Sequence, residues 1–154
     1  MKSKFKVFPI LLVSYISIAP LLVVYLSYKS PVAGMTLPIV FLLFILFFWL
    51  TVFRTRACYI QIDKNDITIK RYFGIGKRIV CNFSELDGFV TIYESGKLGI
   101  TESIFILKDG KRVGSISSFY HSNFVDLKKH LQNNLVDLGE KKSNFKEEIS
   151  ELFR

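Results

Sequence analysis

One apolar stretch decides the fold: LPIVFLLFILFFWLTVF, residues 37–53. It lies in an uncharged run from Ser30 to Phe53. A helix rises about 1.5 Å per residue, so a run of roughly 20 apolar residues is long enough to cross the hydrocarbon core of a bilayer. Trp49 and Phe53 stand near its end, just before Arg54, where aromatic and basic side chains favour the membrane interface. The stretch therefore predicts a transmembrane helix over about residues 34–53.

A second uncharged run precedes it, from Val7 to Tyr28. This run contains serines and prolines, and Pro20 removes one backbone hydrogen bond and is expected to kink a helix. The alternative is a cleavable signal peptide, but the run is longer than the apolar core of such a peptide and no clean small-residue cleavage site follows it. We therefore predict a transmembrane hairpin over residues 1–56, with spans at about 7–28 and 34–53.

Charge is distributed unevenly along the chain, which has 154 residues and a formal net charge of +8. Residues 1–56 carry six basic residues and no acidic one, whereas residues 57–154 carry 15 basic and 13 acidic residues. A uniformly basic nucleic-acid-binding domain is therefore disfavoured, as are a disulfide scaffold and a disordered chain. Because positive charge stays on the cytoplasmic side, we expect an integral membrane protein with both termini in the cytoplasm.

Residues 57–138 have the pattern of a small strand-rich domain. Alternating segments are separated by turn sequences, of which Asp109-Gly110 is the strongest hairpin signal. The predicted strands cover residues 58–62, 67–73, 78–83, 88–93, 101–108 and 111–117. The period then becomes helical over residues 123–137, with one apolar stripe formed by Phe124, Leu127, Leu131, Leu135 and Leu138. We expect an α+β protein: an antiparallel barrel or sandwich capped by this amphipathic helix, followed by a charged tail, residues 139–154, with the pattern of a short helix.

Three segments carry a resemblance to a known family: YIQIDKNDITI at 59–69, FSEL at 83–86 and ISSFYHSNF at 116–124. After two spans and before an amphipathic helix, they resemble the bacterial pleckstrin-homology-like (PH-like) membrane proteins, over residues 7 to about 138. The resemblance implies a bent two-sheet barrel plugged by the helix, and a binding or scaffolding role at the bacterial inner membrane. The chain departs from phosphoinositide-binding PH domains, because its loop at residues 63–66 is short and net acidic. A headgroup pocket of the eukaryotic kind is therefore not expected.

The residues that could carry chemistry form no recognisable constellation. His121 and His130 are nine positions apart, and metal sites need three or four convergent ligands, so we interpret them as a helix-start residue and a surface residue. Cys58 and Cys81 lack the spacing of a zinc or redox pair and are interpreted as buried thiols. We therefore predict no metal site, no cofactor and no enzymatic activity.

Basic residues flank the hairpin, and we call five of them the basic collar: Lys2, Lys4, Lys6, Arg54 and Arg56. They are topological anchors, and each could add about 1 kcal/mol of attraction to an anionic lipid surface. A second basic group surrounds the predicted turn Gly74-Ile75-Gly76. Its members are interpreted as solvated sheet charges, with contacts to anions as the alternative: Lys70, Arg71, Lys77 and Arg78.

Three functions remain open. The first is a membrane-anchored interaction module that binds a protein partner, itself perhaps a membrane protein, by strand addition beside the fifth strand and the helix. Its candidate contacts are Ile104, Ile106, Phe124 and Lys128. The second is a sensor of anionic lipid or envelope stress that uses the basic collar. The third is an accessory or immunity-type protein whose hairpin is the active part, although spans without ionisable residues disfavour a transport pathway.

Overall fold

The structure is a computed structural model that describes residues 1–29, 36–96 and 99–141. Two long helices open the chain. Helix α1 covers Val7–Lys29, and α2 begins as Thr36–Phe48 and continues through a π-helical turn, Trp49–Phe53, into a last α-helical turn, Arg54–Arg56. Both are long and apolar enough to cross a membrane. The two predicted spans are thus confirmed as helices, the second extending three residues beyond its predicted end; residues 34 and 35 lie outside the described residues.

The two helices present most of their large apolar side chains outward, including Leu21, Val40 and Leu43. A soluble protein rarely exposes so large an apolar patch. Helix α1 runs through Pro20, which is buried, and the helices are joined by a hydrogen bond in which Trp49 Nε1–H donates to Ser17 Oγ at 3.0 Å. Ser17 Oγ in turn donates to the Val13 carbonyl at 2.7 Å. The Trp49–Ser17 hydrogen bond therefore joins α1 to α2 in the half of the hairpin nearer the domain.

Seven strands follow in the described residues, and they form two open sheets; of the two predicted alternatives, barrel or sandwich, the closed barrel is wrong. The first sheet has the antiparallel order β1-β2-β3, and the second has the order β6-β5-β4-β7, in which β7 is parallel to β4. The strands are β1 Tyr59–Ile62, β2 Asp66–Lys70, β3 Arg78–Asn82, β4 Gly88–Gly96, β5 Gly99–Lys108, β6 Lys111–Ser117 and β7 Asp137–Lys141. The α+β class is confirmed. The predicted hairpin at Asp109-Gly110 is also confirmed, with both residues at positive φ.

The last strand replaces part of the predicted helix. Helix α3 covers Phe124–Asn134, and Leu135 is already extended, with φ −130° and ψ 150°. Leu138 therefore leaves the apolar stripe and lies exposed in β7. Gly88 makes this pairing possible: a Cβ at that position would lie 2.4 Å from the Val136 carbonyl, which accepts a hydrogen bond from the Phe89 N–H. Residues 139–141, predicted as tail, belong to β7, and the rest of the predicted tail, residues 142–154, lies outside the described residues.

The main core lies between the two sheets and α3. The predicted helix stripe is buried there, apart from Leu138, and the predicted burial of Cys58 and Cys81 is confirmed. Both thiols are free. Fully buried members include Ile60, Ile67, Phe89, Ile104, Ile106, Leu127 and Leu131. Each such side chain contributes roughly 1.5–3 kcal/mol of transfer free energy, so this core stabilises the domain.

Residues 1–5 pack on the domain, although two helices separate them from it in sequence. They run antiparallel to β1: the Ser3 N–H donates to the Ile60 carbonyl at 2.7 Å, and the Ile60 N–H donates to Ser3 Oγ at 2.9 Å. Met1 offers its carbonyl to the Ile62 N–H at 2.7 Å. We call residues 1–5 the N-terminal strand. It covers the edge of β1 that would otherwise present unpaired backbone groups.

Candidate functional site

An aromatic cluster joins the hairpin to the domain, and we call it the base cluster. Tyr72 stacks on Trp49 with 6.1 Å between ring centroids, and Phe73 lies 6.2 Å from Phe53 and 5.9 Å from Tyr120. Burial of Tyr120 raises the pKa of its phenol to about 12. The full cluster is Phe5, Val13, Phe48, Trp49, Val52, Phe53, Ala57, Tyr72, Phe73, Phe119 and Tyr120. Since members come from both helices and from the domain, the domain is packed directly against the end of the hairpin.

The segment between β2 and β3 supplies two of these rings, and we call residues 71–77 the base loop. Tyr72 and Phe73 have φ values of 52° and 56°, a left-handed conformation that costs about 1–2 kcal/mol per residue. The prediction that β2 extends to residue 73 is therefore wrong: the strand ends at Lys70 because the chain turns here. Packing in the base cluster and a 2.7 Å hydrogen bond from the Phe73 N–H to the Ala57 carbonyl stabilise the strained turn.

The tip of the base loop exposes an apolar side chain beside α1. Ile75 is 85% exposed, and it lines a largely apolar cavity of about 440 Å³ together with Ile10, Ile18 and Trp49. Arg71 and Lys77 are the first and last residues of the loop, and Arg78 follows it directly. The sequence RYFGIGKR, residues 71–78, places three large apolar side chains between cations, which is a signal for a membrane-facing loop. Sequence reasoning missed it because the two glycines indicated only a turn.

The structure separates the five members of the basic collar. Arg56 forms a two-pronged ion pair with Glu94, with 2.6 Å between Nη2 and Oε1. Lys6 Nζ donates to the Ser118 carbonyl at 2.7 Å. Lys4 is exposed, and its backbone is bound to Asn123 and Ser122. The members of the collar therefore differ in their surroundings: Arg56 and Lys6 bind partners within the protein, whereas the Lys4 side chain is exposed.

Lys2 lines a broad polar groove of about 490 Å³ on the outer face of the first sheet. Lys70 and Arg78 are cross-strand partners and line the same groove. Arg78 Nη2 also lies 3.4 Å from Thr68 Oγ1. The groove is wide and open, so these cations can be solvated, as predicted, or can contact an anion.

Arg54 lines a different and much smaller cavity, of about 40 Å³, which we call the arginine cavity. Arg71 from the base loop and Arg112 from β6 line it as well. The remaining lining residues are Thr55, Cys58, Val113 and Gly114. Three cations from distant parts of the sequence are thus brought to one place, which neither their spacing nor the collar prediction indicated.

The predicted partner edge is not an edge. Ile104 and Ile106 are fully buried, and β5 is a central strand that pairs with β4 on one side and β6 on the other. Phe124 is buried in the core. Lys128 is ion-paired with Glu102, whose hydrogen bond raises the pKa of the ammonium group. The four residues are close in the fold, but they offer no free strand edge for another chain.

His121 is also placed differently from the prediction. It is fully buried, accepting at Nδ1 from the Ser117 N–H at 3.1 Å and donating from Nε2 to the Cys58 carbonyl at 2.9 Å. Burial lowers the pKa of this imidazole, and burial raises the pKa of the Cys58 thiol. His130 is exposed, as predicted. Within residues 1–29, 36–96 and 99–141, His, Cys, Asp and Glu side chains form no group of three that could hold a metal ion.

Comparison with protein-family models, with curated proteins and with solved structures found no match. The resemblance to PH-like membrane proteins therefore stays a prediction from sequence pattern. A functional assignment must come from the geometry at the end of the hairpin, where the base cluster, the base loop and the arginine cavity meet.

Proposed function

We propose that this protein is a membrane-anchored, non-enzymatic interaction module whose domain rests on an anionic lipid surface at the cytoplasmic face of a bacterial inner membrane. The observation that carries the proposal is the base loop. It holds Ile75 exposed beside the apolar surface of α1, at the level of Ile10 and Ile18, while cations flank it. A hairpin that spans a bilayer would place this side chain within the membrane interface.

The N-terminal strand supports a single orientation for the hairpin ends. Its pairing with β1 brings the start of α1 and the end of α2 to the same side of the hairpin. Both ends are basic, and Lys and Arg are retained on the cytoplasmic side of membranes. The proposal therefore places the domain and the N-terminus together in the cytoplasm.

Two energetic contributions favour contact with anionic lipid. Transfer of a largely exposed Ile side chain into an apolar environment yields roughly 1.5–3 kcal/mol. Each nearby Lys or Arg adds about 1 kcal/mol of attraction to an anionic leaflet, and two exposed cations, Lys77 and Arg78, lie at the end of the loop. The first hypothesis from sequence was a protein partner that adds a strand beside β5. Because β5 lies between β4 and β6, it offers no edge for such a partner, and lipid contact is the stronger proposal.

Trp49 provides a local probe, because it is the single tryptophan and stacks on Tyr72 of the base loop. Full-length protein is reconstituted in nanodiscs of phosphatidylcholine that contain equal fractions of brominated phosphatidylglycerol or brominated phosphatidylcholine. We expect stronger quenching of Trp49 fluorescence by the brominated anionic lipid, and a smaller difference at high salt because salt screens exposed charges.

Matched variants make the test specific. Replacement of the two exposed cations at the end of the loop, Lys77→Gln with Arg78→Gln, should reduce the preference for anionic lipid several-fold. Lys64→Gln should leave it unchanged, because Lys64 is exposed in the turn at the opposite end of β1 from the hairpin. Equal quenching by the two brominated lipids in the wild-type protein would contradict the proposal.

A further inference from the structure

The outer face of the first sheet carries two cations side by side. The strand register sets Tyr59 opposite Lys70, and Lys70 opposite Arg78. Ile60 and Ile69, which follow Tyr59 and precede Lys70 along the strands, are fully buried in the core. Because successive side chains on a strand point to opposite faces, Tyr59, Lys70 and Arg78 share the outer face. All three line the open groove of about 490 Å³ that lies over this sheet, and we call it the sheet groove.

The pair formed by Lys70 and Arg78 is electrostatically unfavourable by itself, because like charges directly opposite each other on neighbouring strands are destabilising. Within residues 1–29, 36–96 and 99–141, neither side chain forms an ion pair. Arg78 Nη2 lies 3.4 Å from Thr68 Oγ1, which is a neutral partner. No carboxylate is among the described residues that line the sheet groove. An anion bound between the two cations would offset their repulsion.

The N-terminal strand brings a third cation to the same place. Lys2 pairs with Gln61 of β1, is exposed, and lines the sheet groove. The carboxylates next to β1 and at the start of β2 are bound by neutral amides: Gln61 Nε2 donates to Asp63 at 3.1 Å, and Asn82 Nδ2 donates to Asp66 at 3.2 Å. Neither carboxylate lines the groove. The sheet groove therefore gathers positive charge from three strands that are distant in sequence or in register.

The sheet groove opens at the end of the sheet nearest the hairpin. Strand β1 begins at Tyr59, three positions after Arg56 at the end of α2. Phe73 and Gly74 of the base loop line the groove at this end. The loop lies close against the first strand, since a Cβ on Gly74 would be 3.3 Å from the Tyr59 Cβ. If the hairpin spans a bilayer, the groove lies at the depth of the lipid phosphates.

We propose that Lys2, Lys70 and Arg78 bind one phosphate monoester in the sheet groove. A guanidinium donates two parallel hydrogen bonds to phosphate oxygens, and an ammonium group adds a compact positive charge. The groove volume of about 490 Å³ falls in the range of roughly 300–1,000 Å³ that small-molecule sites occupy, so a whole headgroup fits. A lipid headgroup and a soluble phosphate ester share this chemistry. The lipid source rests on the proposed function, which places the groove at the membrane surface.

The test uses full-length protein in phosphatidylcholine nanodiscs and a matched pair of probes. One arm adds phosphatidic acid to the nanodiscs and counts the retained lipids by native mass spectrometry. The other arm titrates glycerol 3-phosphate, which carries the same monoester without acyl chains, and measures the heat of binding. We expect one retained phosphatidic acid per protein, with at least tenfold weaker retention in Lys70→Gln.

Three further variants separate the site from general charge and from misfolding. Lys64→Gln removes the same charge from an exposed position outside the sheet groove, so it should retain the ligand as the wild type does. Lys70→Arg keeps the cation and should restore retention. Lys2→Gln changes an exposed position and should weaken retention several-fold; it decides the test if Lys70→Gln does not fold.

Thermal unfolding without added ligand distinguishes binding from a structural role of Lys70. Removal of one of two opposed cations relieves their repulsion, so Lys70→Gln should unfold at the wild-type temperature or above it. A residue that served packing alone would lower the unfolding temperature when replaced and would leave retention unchanged in the folded protein.

Retention of one phosphatidic acid that depends on Lys70, but not on Lys64, supports the site with a lipid ligand. Stoichiometric binding of glycerol 3-phosphate with the same dependence, without lipid retention, supports the site with a soluble ligand. Absence of both, or binding that Lys70→Gln and Lys2→Gln leave unchanged, or equal loss in Lys64→Gln, overturns the inference. The Trp49 quenching experiment reports separately on the proposed function, so either proposal can fail while the other stands.

Discussion

The buried His121 makes a specific prediction about acid stability. With its proton on Nε2, the neutral ring satisfies the Cys58 carbonyl and the Ser117 N–H at once. A second proton would go to Nδ1. The Ser117 carbonyl at 3.2 Å could accept from it, but the Ser117 N–H would then lose its acceptor. Burial also disfavours the charged ring, and together these effects keep the folded protein from taking up the proton.

The pH dependence of the free energy of unfolding follows from the difference in proton binding between the folded and unfolded states. Burial lowers the pKa of His121 below its ordinary value of 6.5 in the folded state. Above pH 6.5 the ring is neutral in both states and adds no pH dependence. As the pH falls through 6.5, only the unfolded state gains the proton, so the free energy of unfolding drops by up to about 1.4 kcal/mol per pH unit. Between pH 7.5 and 5.5 the free energy of unfolding falls by at most about 1.4 kcal/mol.

The assay is urea unfolding of the full-length protein in detergent micelles at several pH values, followed by Trp49 fluorescence. His121→Gln should be less stable at pH 7.5 but should lose this pH dependence. His130→Gln is the matched control, since His130 is exposed on α3, and it should behave as the wild type does. The reasoning is refuted if His121→Gln keeps the wild-type pH dependence, or if His130→Gln removes it.

Two further predictions concern the end of the hairpin. Arg56→Gln should lower the free energy of unfolding by about 1–2 kcal/mol, because its two-pronged pair with Glu94 is partly buried; an unchanged urea midpoint would show that the pair is not stabilising. An environment-sensitive fluorophore on Ile75→Cys should emit at shorter wavelength in nanodiscs than the same fluorophore on Val125→Cys, an exposed apolar position on α3. Equal emission at both positions would place Ile75 in water.

Periodicity predicted the parts of the fold in which burial is regular. The apolar runs became α1 and α2, and the stripe Phe124, Leu127, Leu131 and Leu135 lies in the core. Strand β7 was missed because Asp137–Lys141 is exposed at all five positions and has no alternation. Its position depends on backbone pairing with β4, which a hydrophobic pattern does not record.

The site was harder to predict for the same physical reason. Arg54 was named as a cation near the membrane, but its convergence with Arg71 and Arg112 depends on how β6 and the base loop pack. Conversely, Ile104 and Ile106 were predicted as partner contacts because they lie on a strand. Whether that strand lies at the edge or in the centre of a sheet depends on the strand order, which the sequence pattern does not give. His121 looked like a helix-start residue, and only the fold places it between Cys58 and Ser117.

The N-terminal strand also imposes an order on biosynthesis. Ser3 and Ile60 are separated by 57 positions. At translation rates of about 5–20 residues per second, roughly 3–11 s pass between synthesis of the N-terminal strand and synthesis of β1. In the membrane-anchored arrangement that we propose, both helices would be inserted during that time while the N-terminal strand remains on the side where the domain will fold. The N-terminal strand is thus made before its partner, and it can dock on β1 only after both intervening helices have been synthesised.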